Sequence, residues 1–198
     1  MNFNLICAFC NKRGIGNNNS IPWKITDDLK EFKKITTNGD NKNILIMGRN
    51  TWESIPSKFR PLDNRYNIVV SSKTDFIDSD KVDYIGNSFE NILEYIDNKK
   101  TIFEKSKIFI IGGEMLYKYV LMSYTENIDT IYITEIYKSF ECDKFFPKID
   151  DTMFMIEQIS DLKDENGIYF RYFTYKQNNS NNIKYCNKEE LQFKKFIQ

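Results

Sequence analysis

The stretch KIFIIGGEMLYKYVLM, residues 107–122, contains the pattern that decides the fold. Its first part, Lys107–Ile111, is short, apolar and rich in β-branched and aromatic residues, which is typical of a buried strand. Two glycines follow it. Beyond them, apolar residues recur at the spacing of one helix face: Met115, Leu116, Tyr119 and Val120. The stretch therefore predicts a strand that passes through a tight glycine turn into a helix.

Similar units lie on both sides of this stretch. Further strands are predicted at Asn4–Cys10, Asn43–Met47, Tyr66–Val70 and Thr130–Ile136, and helices at Thr26–Thr36, Phe89–Asn98 and Glu114–Met122. Strands that alternate with helices favour an α/β fold with a largely parallel sheet. Near the end, the strand-like runs Thr152–Ser160 and Ile168–Tyr175 flank a polar segment and predict an antiparallel hairpin.

Composition limits the function classes. The chain has 198 residues, enough for one domain, and its 28 basic and 28 acidic residues balance, which argues against a nucleic-acid-binding module. No apolar run approaches the ~20 residues of a membrane helix, and we expect a cytoplasmic protein.

Histidine is absent, so proton chemistry near neutral pH falls to other groups, and we predict no metal site. Cys7 and Cys10 stand at an odd spacing in a strand, which predicts buried free thiols on opposite faces.

One acidic residue is a candidate for the chemistry. In the predicted helix Thr26–Thr36, which Thr26 is expected to cap, Asp28 shares a face with Phe32 and Ile35, and Leu29 lies beside them. A carboxylate at the edge of an apolar stripe needs hydrogen-bond donors or takes up a proton. It suits a ligand with an amidine-like N–C–NH₂ edge. An ordinary acidic residue at a helix N-terminus is the alternative that the spacing leaves open.

Three predicted strands end in residues suited to a nucleotide. Gly48 and Arg49 follow one strand, Ser71–Lys73 the next, and Gly112–Gly113 a third. Glycine lets the backbone approach a ligand, a helix N-terminus favours an anion, and the arginine fork suits phosphate. Because ligands bind at the carboxyl ends of strands in open α/β sheets, these ends predict a dinucleotide site. Neither the G-x-G-x-x-G nor the G-K-[ST] fingerprint is present, and a plain tight turn is the alternative at each glycine.

Two further features have both a functional and an ordinary interpretation. The segment Asn11–Trp23 contains two glycines and three consecutive asparagines, so it is either a lid over a ligand or a plain surface loop. Arg65 follows apolar Leu62, and it either clamps a ligand carboxylate or lies at the surface. The sequence leaves both pairs of alternatives open.

The order and spacing of these motifs resemble the dihydrofolate reductase family over about residues 3–176. The motifs are LICA at 5–8, GIG at 14–16, IPW at 21–23 with Asp28 beyond it, MGR at 47–49, TWESIP at 51–56, Pro61-Leu62 with Arg65, IGG at 111–113 with Tyr117, IYIT at 131–134, and Asp143 ahead of Phe146-Pro147. The resemblance implies an α/β fold with a central, mostly parallel eight-stranded sheet, an antiparallel C-terminal strand and helices on both faces.

The resemblance also implies a reaction and its site. NADPH would deliver a hydride to pteridine C6 of dihydrofolate and a proton would reach N5, giving tetrahydrofolate, and antifolates would bind the same cleft. The implied catalytic residues are Asp28, Thr134 and Trp23, with Asp28 binding the pteridine 2-amino group and N3. The implied substrate contacts are Ile6, Cys7, Asp28, Leu29, Phe32, Ile55, Leu62, Arg65, Ile111 and Thr134, with Arg65 taking the α-carboxylate. The implied NADPH contacts are Ala8, Ile15, Gly16, Gly48, Arg49, Asn50, Thr51, Ser71, Ser72, Lys73, Ile111, Gly112, Gly113, Glu114, Met115, Leu116 and Tyr117.

Two details of the resemblance bear on the cofactor. In the family the Gly112–Gly113 peptide bond is cis. Ser72 stands where many eukaryotic members carry arginine, so selectivity for the 2′-phosphate of NADPH would depend mainly on Arg49, with Lys73 as a further cation.

The sequence also predicts how the chain is divided and allows two rival functions to be compared. We expect a reductase domain at residues 1–176 and a linker with a short tail at 177–198. The run NKEELQF at 187–193 resembles the opening of the thymidylate synthase part of bifunctional proteins, which implies an association with a synthase; a plain extension is the alternative. A pyrimidine reductase of riboflavin-type biosynthesis would lack the Pro-Trp-x4-Asp spacing. A non-catalytic nucleotide-binding module need not retain Asp28, Arg49 and Arg65.

Overall fold

The computed structural model describes residues 1–178, and they form strands alternating with helices. The strands are β1 (Phe3–Phe9), β2 (Gly14–Gly16), β3 (Asn43–Gly48), β4 (Arg65–Val70), β5 (Tyr84–Gly86), β6 (Ile108–Gly112), β7 (Ile128–Ile136), β8 (Lys144–Phe145), β9 (Phe154–Ile159), β10 (Lys163–Glu165) and β11 (Ile168–Gln177). The helices are α1 (Thr26–Thr36), α2 (Arg49–Ser54), α3 (Phe89–Asn98), α4 (Lys100–Phe103) and α5 (Glu114–Ser123).

The main sheet confirms the predicted fold class. Within residues 1–178 its strand order is β10-β11-β7-β1-β6-β3-β4-β5, and all pairs from β7 to β5 are parallel. β11 runs antiparallel to β7, as expected of the last strand. β9 pairs with residues 173–177 of β11 and β10 with residues 168–170, so these two short strands share one edge and the sheet has eight strand positions.

Apolar side chains cover both faces of the sheet. Along β3, Ile44 and Ile46 join a cluster that includes side chains of α3 and α5, whereas Leu45 and Met47 join a second cluster with Trp52 of α2. Phe32 and Ile35 of α1 pack against the second cluster. This alternation explains the continuous apolar run of β3, since a parallel strand is buried on both faces. Helices therefore cover both faces, as predicted.

A third cluster lies under the closing hairpin. Trp23, Ile25 and Phe170 pack there with Cys10, and Ile168 lies against them. The pairing of β9 with β11 is antiparallel, as predicted, but the polar segment between the two predicted strands contains a further strand, β10. β10 and β11 form the closing hairpin, and its tight turn is at Asn166 and Gly167, which both have positive φ. Glycine and asparagine adopt this conformation with the least strain. The hairpin is thus held against the segment that precedes α1.

Some local predictions need correction or lie outside the described residues. Cys7 and Cys10 join different clusters and are free thiols as predicted, but Cys10 has a neighbour that the sequence did not indicate, because its Sγ lies 3.7 Å from that of Cys142. β2, which lies within the predicted lid, pairs with β8 in a separate two-stranded sheet that no pattern indicated. None of the helices in residues 1–178 has the length and apolar character needed to cross a membrane. The run at 187–193 lies outside the described part of the chain.

Candidate active site

A cleft of about 2570 Å³ opens at the carboxyl ends of the parallel strands, between α1 and the start of α5. Its walls bring together residues that are far apart in the sequence: Ile6 on β1, Asp28 on α1, Gly48 at the end of β3, Ile111 on β6 and Thr134 on β7. Ligand sites in open α/β sheets lie at this edge. The cleft is the place where the predicted site residues converge.

The half-buried carboxylate of Asp28 accepts a hydrogen bond from the hydroxyl of Thr134, with Oγ1 and Oδ1 2.6 Å apart. Burial raises the pKa of Asp28 to about 6, the bond from Thr134 opposes this shift, and the negative charges of Glu165 and Glu31 add to it. The side chain therefore changes its protonation state just below neutral pH. A carboxyl group tuned in this way is typical of functional sites.

The start of α1 corrects the prediction for Thr26. This residue is the first of the helix, and the preceding Ile25 has no side chain that can cap it. The carboxylate of Glu165, from β10, accepts hydrogen bonds from the backbone N–H groups of Thr26 at 2.8 Å and Asp27 at 2.9 Å. The helix that carries Asp28 is thus capped by a side chain from another part of the fold.

The predicted apolar substrate contacts line the cleft, with one correction to their burial. Ile6 is buried, and Phe32, Ile55, Leu62 and Ile111 are half-buried along the cleft. Leu29, expected in the apolar stripe, is 57% exposed because it faces the open cleft.

Cys7 and Trp23 border the cleft in different ways. Strand alternation directs Cys7 to the cluster that contains Tyr117, and burial raises the pKa of its thiol. Cys7 therefore borders the cleft without offering a reactive thiol. Trp23 is buried, and its indole N–H has no acceptor among residues 1–178.

Arg65 is buried, which argues against the surface alternative. Its guanidinium donates from Nη1 to Thr36 Oγ1 at 2.8 Å and from Nε to the carbonyl oxygen of Asp63 at 2.9 Å, and it lies over the ring of Phe32. Burial lowers its pKa, and the charge of Asp63 opposes that shift. Within residues 1–178 no carboxylate forms an ion pair with it. A buried cation that lines the cleft in this way suits an anionic group of a ligand.

The opposite half of the cleft is built from backbone. Gly112 has φ +111° and the Gly112–Gly113 peptide is cis. A Cβ at Gly112 would lie 2.9 Å from Cε2 of Tyr117, whose hydroxyl donates to the carbonyl oxygen of Ile6 at 2.6 Å. A Cβ at Gly113 would lie 3.1 Å from Oγ1 of Thr51. Because side chains are excluded where two strand ends and two helix starts meet, the residues present fit a dinucleotide.

Most of the predicted cofactor residues line the cleft, but Gly112 and Lys73 do not. The residues that line it are Ala8, Ile15, Gly16, Gly48, Arg49, Asn50, Thr51, Ser71, Ser72, Ile111, Gly113, Glu114, Met115, Leu116 and Tyr117. Lys73 is exposed and does not line it; its backbone N–H donates to Ser71 Oγ. Arg49 lines the cleft but is paired with Glu53 on its own helix, with Nη1 and Oε1 3.0 Å apart.

Two cleft residues and one residue that supports the cleft were missed from the sequence. Lys163 and Tyr172 line the cleft, and Glu165 caps α1. The register of β11 places Tyr172 directly beside Thr134, so the hairpin pattern contained a signal for this neighbour. The same turn fixes the position of Glu165, but no local pattern relates it to α1.

The fold and the cleft are typical of a class of protein: α/β enzymes that bind a dinucleotide at the glycine-ended carboxyl ends of their strands. The family model described as dihydrofolate reductase matches residues 2–177. The chain is 35% identical over 178 residues to a dihydrofolate reductase of Heliothis virescens, covering 86% of this chain and 94% of that protein. It is 35% identical over 181 residues to a dihydrofolate reductase of Schistosoma mansoni, covering 88% and 96%.

The chain belongs to the dihydrofolate reductase family. It is an NADPH-dependent oxidoreductase that reduces dihydrofolate to tetrahydrofolate. A similar match, 35% identical over 178 residues, is to a bifunctional dihydrofolate reductase-thymidylate synthase of Glycine max, and it covers 87% of this chain but 33% of that protein.

Proposed function

We propose that Asp28 is the residue that binds and polarises the pteridine during this reduction. In its ionised form the carboxylate accepts hydrogen bonds from the ring N3–H and 2-amino groups. Thr134 supports this geometry, since its hydroxyl donates to Oδ1 at 2.6 Å. This pair is the observation that carries the proposal. A carboxylate held among apolar walls acts on a ring more strongly than it would in water.

The chain's own residues prepare the ring for hydride and proton transfer. NADPH supplies the hydride to C6 when it is bound. The negative charge of Asp28 stabilises positive charge on the edge of the ring that it binds. The indole N–H of Trp23 is a donor available to the substrate or to a water molecule. Because Asp28 binds the edge remote from N5, we assign the proton at N5 to water. Ile15 and Gly16, held by the pairing of β2 with β8, cover the cleft and exclude bulk water.

Other residues bind the two ends of the ligands. The buried Arg65 binds the α-carboxylate of the substrate, and the apolar residues Ile6, Leu29, Phe32, Ile55, Leu62 and Ile111 contact its rings. Gly48 to Thr51 and Gly112 to Tyr117 hold the pyrophosphate and ribose of NADPH, while Arg49 with Ser71 and Ser72 faces the 2′-phosphate. The closeness of Gly113 to Thr51 and the N-terminus of α5 support this assignment.

The decisive test compares two neighbouring aspartates. Asp28→Asn keeps the shape but removes the charge, so we expect kcat/KM for dihydrofolate at neutral pH to fall by about 10²–10⁴ while the Kd for NADPH stays the same. Asp27→Asn is the matched control, because Asp27 lies next to Asp28 but pairs with Lys30 at the surface. NADPH oxidation with and without dihydrofolate gives the rates. Near-normal turnover by Asp28→Asn would refute the role given to this carboxylate.

The association with a synthase, the domain bounds and the cellular location also belong to the proposal. The resemblance of 187–193 and the matching bifunctional proteins support an association with a thymidylate synthase. We keep 1–176 as the reductase domain and 177–198 as linker and tail, and a cytoplasmic location stays a prediction. Size-exclusion chromatography with purified synthase would detect the association.

A further inference from the structure

Glu165 occupies an unusual position relative to the catalytic carboxylate. Its side chain extends from β10, at the edge of the sheet, to the first turn of α1, and its two oxygens accept from consecutive backbone N–H groups, those of Thr26 and Asp27. These are two of the N–H groups that a helix leaves without internal partners. Since Ile25 offers no capping side chain, Glu165 supplies the cap that the local sequence lacks.

The hairpin holds Glu165 firmly in this place. Glu165 pairs with Ile168 across the two-residue turn at Asn166 and Gly167, and both turn residues have positive φ. Ile168 and Phe170 pack against Trp23 and Ile25, just before α1. The register of the hairpin therefore fixes both the apolar contact and the carboxylate relative to the helix.

The charge of Glu165 also acts on Asp28. The two N–H bonds lower the pKa of Glu165, so it stays ionised at neutral pH, and its charge adds to the raised pKa of Asp28. The other titratable groups that interact with Asp28 are Glu31 on its own helix, Cys7 on β1 and Tyr172 on β11. Among the charged groups that raise the pKa of Asp28, Glu165 has the larger effect and Glu31 the smaller.

We propose that Glu165 is a positioning residue for the catalytic carboxylate: it fixes the first turn of α1 against the β10–β11 hairpin and places a permanent negative charge beside Asp28. The proposal rests on the role given to Asp28 above. Its consequence is that Glu165 sets both where Asp28 meets the substrate and the pH at which Asp28 ionises, although Glu165 touches neither ligand.

Three variants separate charge from position. Glu165→Gln keeps the length, offers one acceptor oxygen and removes the charge. Glu165→Asp keeps the charge on a shorter side chain. Asp164→Asn is the matched control, because it removes a charge from the exposed neighbouring position on β10, where no hydrogen bond to α1 exists within the described residues.

The main readout is the titration of the Asp28 carboxyl carbon by ¹³C NMR in the ligand-free protein, assigned by its loss in Asp28→Asn. In Glu165→Gln we expect the pKa of Asp28 to fall by about half a unit. We also expect KM for dihydrofolate to rise by about 3–10-fold with little change in the Kd for NADPH. Asp164→Asn leaves all three quantities as in the wild type.

Every outcome of the titration and of the KM measurement either supports or overturns the proposal. An Asp28 titration in Glu165→Gln that overlays that of Asp164→Asn would overturn it. If Glu165→Gln does not fold, Glu165→Asp decides, since the proposal then requires a raised KM together with a nearly unchanged pKa of Asp28. The titration does not depend on turnover, so a failure here is distinguishable from an active Asp28→Asn, which would refute the proposed function instead.

Discussion

Two of the helices that begin at the cleft, α1 and α5, differ in the groups that accept from their first backbone N–H groups. The N-cap of α1 is Ile25 and that of α5 is Gly113, and neither has a side chain that caps its helix. At α1 the protein supplies its own anion, Glu165. At α5 the first-turn acid, Glu114, accepts instead from the backbone N–H of Phe145 on β8 at 3.1 Å.

This difference separates the two halves of the site. The substrate half consists of side chains that the protein itself fixes, namely Asp28 with Thr134 and Arg65 with Thr36. The proposed cofactor half contains the backbone of Gly48, Gly112 and Gly113 and the start of α5, whose N-cap makes no side-chain hydrogen bond and whose Glu114 accepts from Phe145 instead. A ring system needs one exact donor pattern, whereas a pyrophosphate is bound by many N–H groups. The following substitutions test whether the two halves respond independently.

The largest effect is expected at the backbone of the cofactor half. Gly112→Ala places a Cβ at φ +111° and 2.9 Å from the ring of Tyr117, so the strand end has to move. We expect the Kd for NADPH to rise by about 100-fold and the free energy of unfolding to fall by roughly 1–3 kcal/mol. Fluorescence titration with NADPH and thermal unfolding give the two values.

Gly39→Ala is the control for this substitution. Gly39 also has positive φ, at +126°, but a Cβ there would have no neighbour within 4 Å. It carries the backbone strain without the contact, so its effect is expected on stability alone. Equal losses of NADPH affinity in the two variants would contradict the assignment of Gly112 to the cofactor half.

In the substrate half, Arg65→Gln removes the cation but retains a polar side chain. We expect KM for dihydrofolate to rise by about 10–50-fold with kcat nearly unchanged, because the carboxylate contact is the same in the ground state and the transition state. A substrate analogue without the α-carboxylate is the control, and it should bind both proteins alike. A loss of the same size with that analogue would show that Arg65 acts only through packing.

The sequence predicted the local features of the fold and the site better than the long-range contacts, for a physical reason. Helix and strand periodicity placed α1 and α3 to the residue, and apolar runs located the central strands, because both patterns are local. Asp28 could be selected from its helix face. Arg65 was a candidate from its place after Leu62, with a surface position as the alternative, whereas Thr134 was supplied by the resemblance. Glu165 was missed, because its partners lie 138 and 139 residues away. Contacts of that range depend on sheet register, which no local pattern determines.

A smaller effect is expected at Arg49. Arg49→Ala should weaken NADPH binding by about 10-fold and leave NADH binding nearly unchanged, since only NADPH carries the 2′-phosphate. The effect is limited because Arg49 has to give up its ion pair with Glu53 when it binds the 2′-phosphate. Glu53→Gln is the control and should not weaken NADPH. Equal losses for both cofactors in Arg49→Ala, measured at low ionic strength, would argue against a contact with the 2′-phosphate.

The smallest effect is a gain in stability at Asp28, and its sign follows from the pKa. The pKa of Asp28 is about 6 in the folded protein, above its ordinary value of 3.8, so between these two pH values the unfolded chain ionises first and folding loses stability as the pH rises; the loss is complete above pH 6. Asp28→Asn removes that charge, and we expect the ligand-free protein at pH 7.5 to gain about 2 kcal/mol, or roughly 4–8 °C in Tm. Below about pH 3 the Asp28 carboxyl group is neutral in the folded and the unfolded chain, so the difference should vanish.

Thermal unfolding at the two pH values checks this, with Asp27→Asn as the control whose Tm should not show the same pH dependence. A difference between Asp28→Asn and the wild type that is equal at both pH values would show that packing, not charge, sets it. A gain confined to neutral pH, in the variant that loses activity, would establish that the substrate half holds its carboxylate at the expense of stability. Gly112→Ala should show no such pH dependence, because the cofactor half has no titrating group at that position.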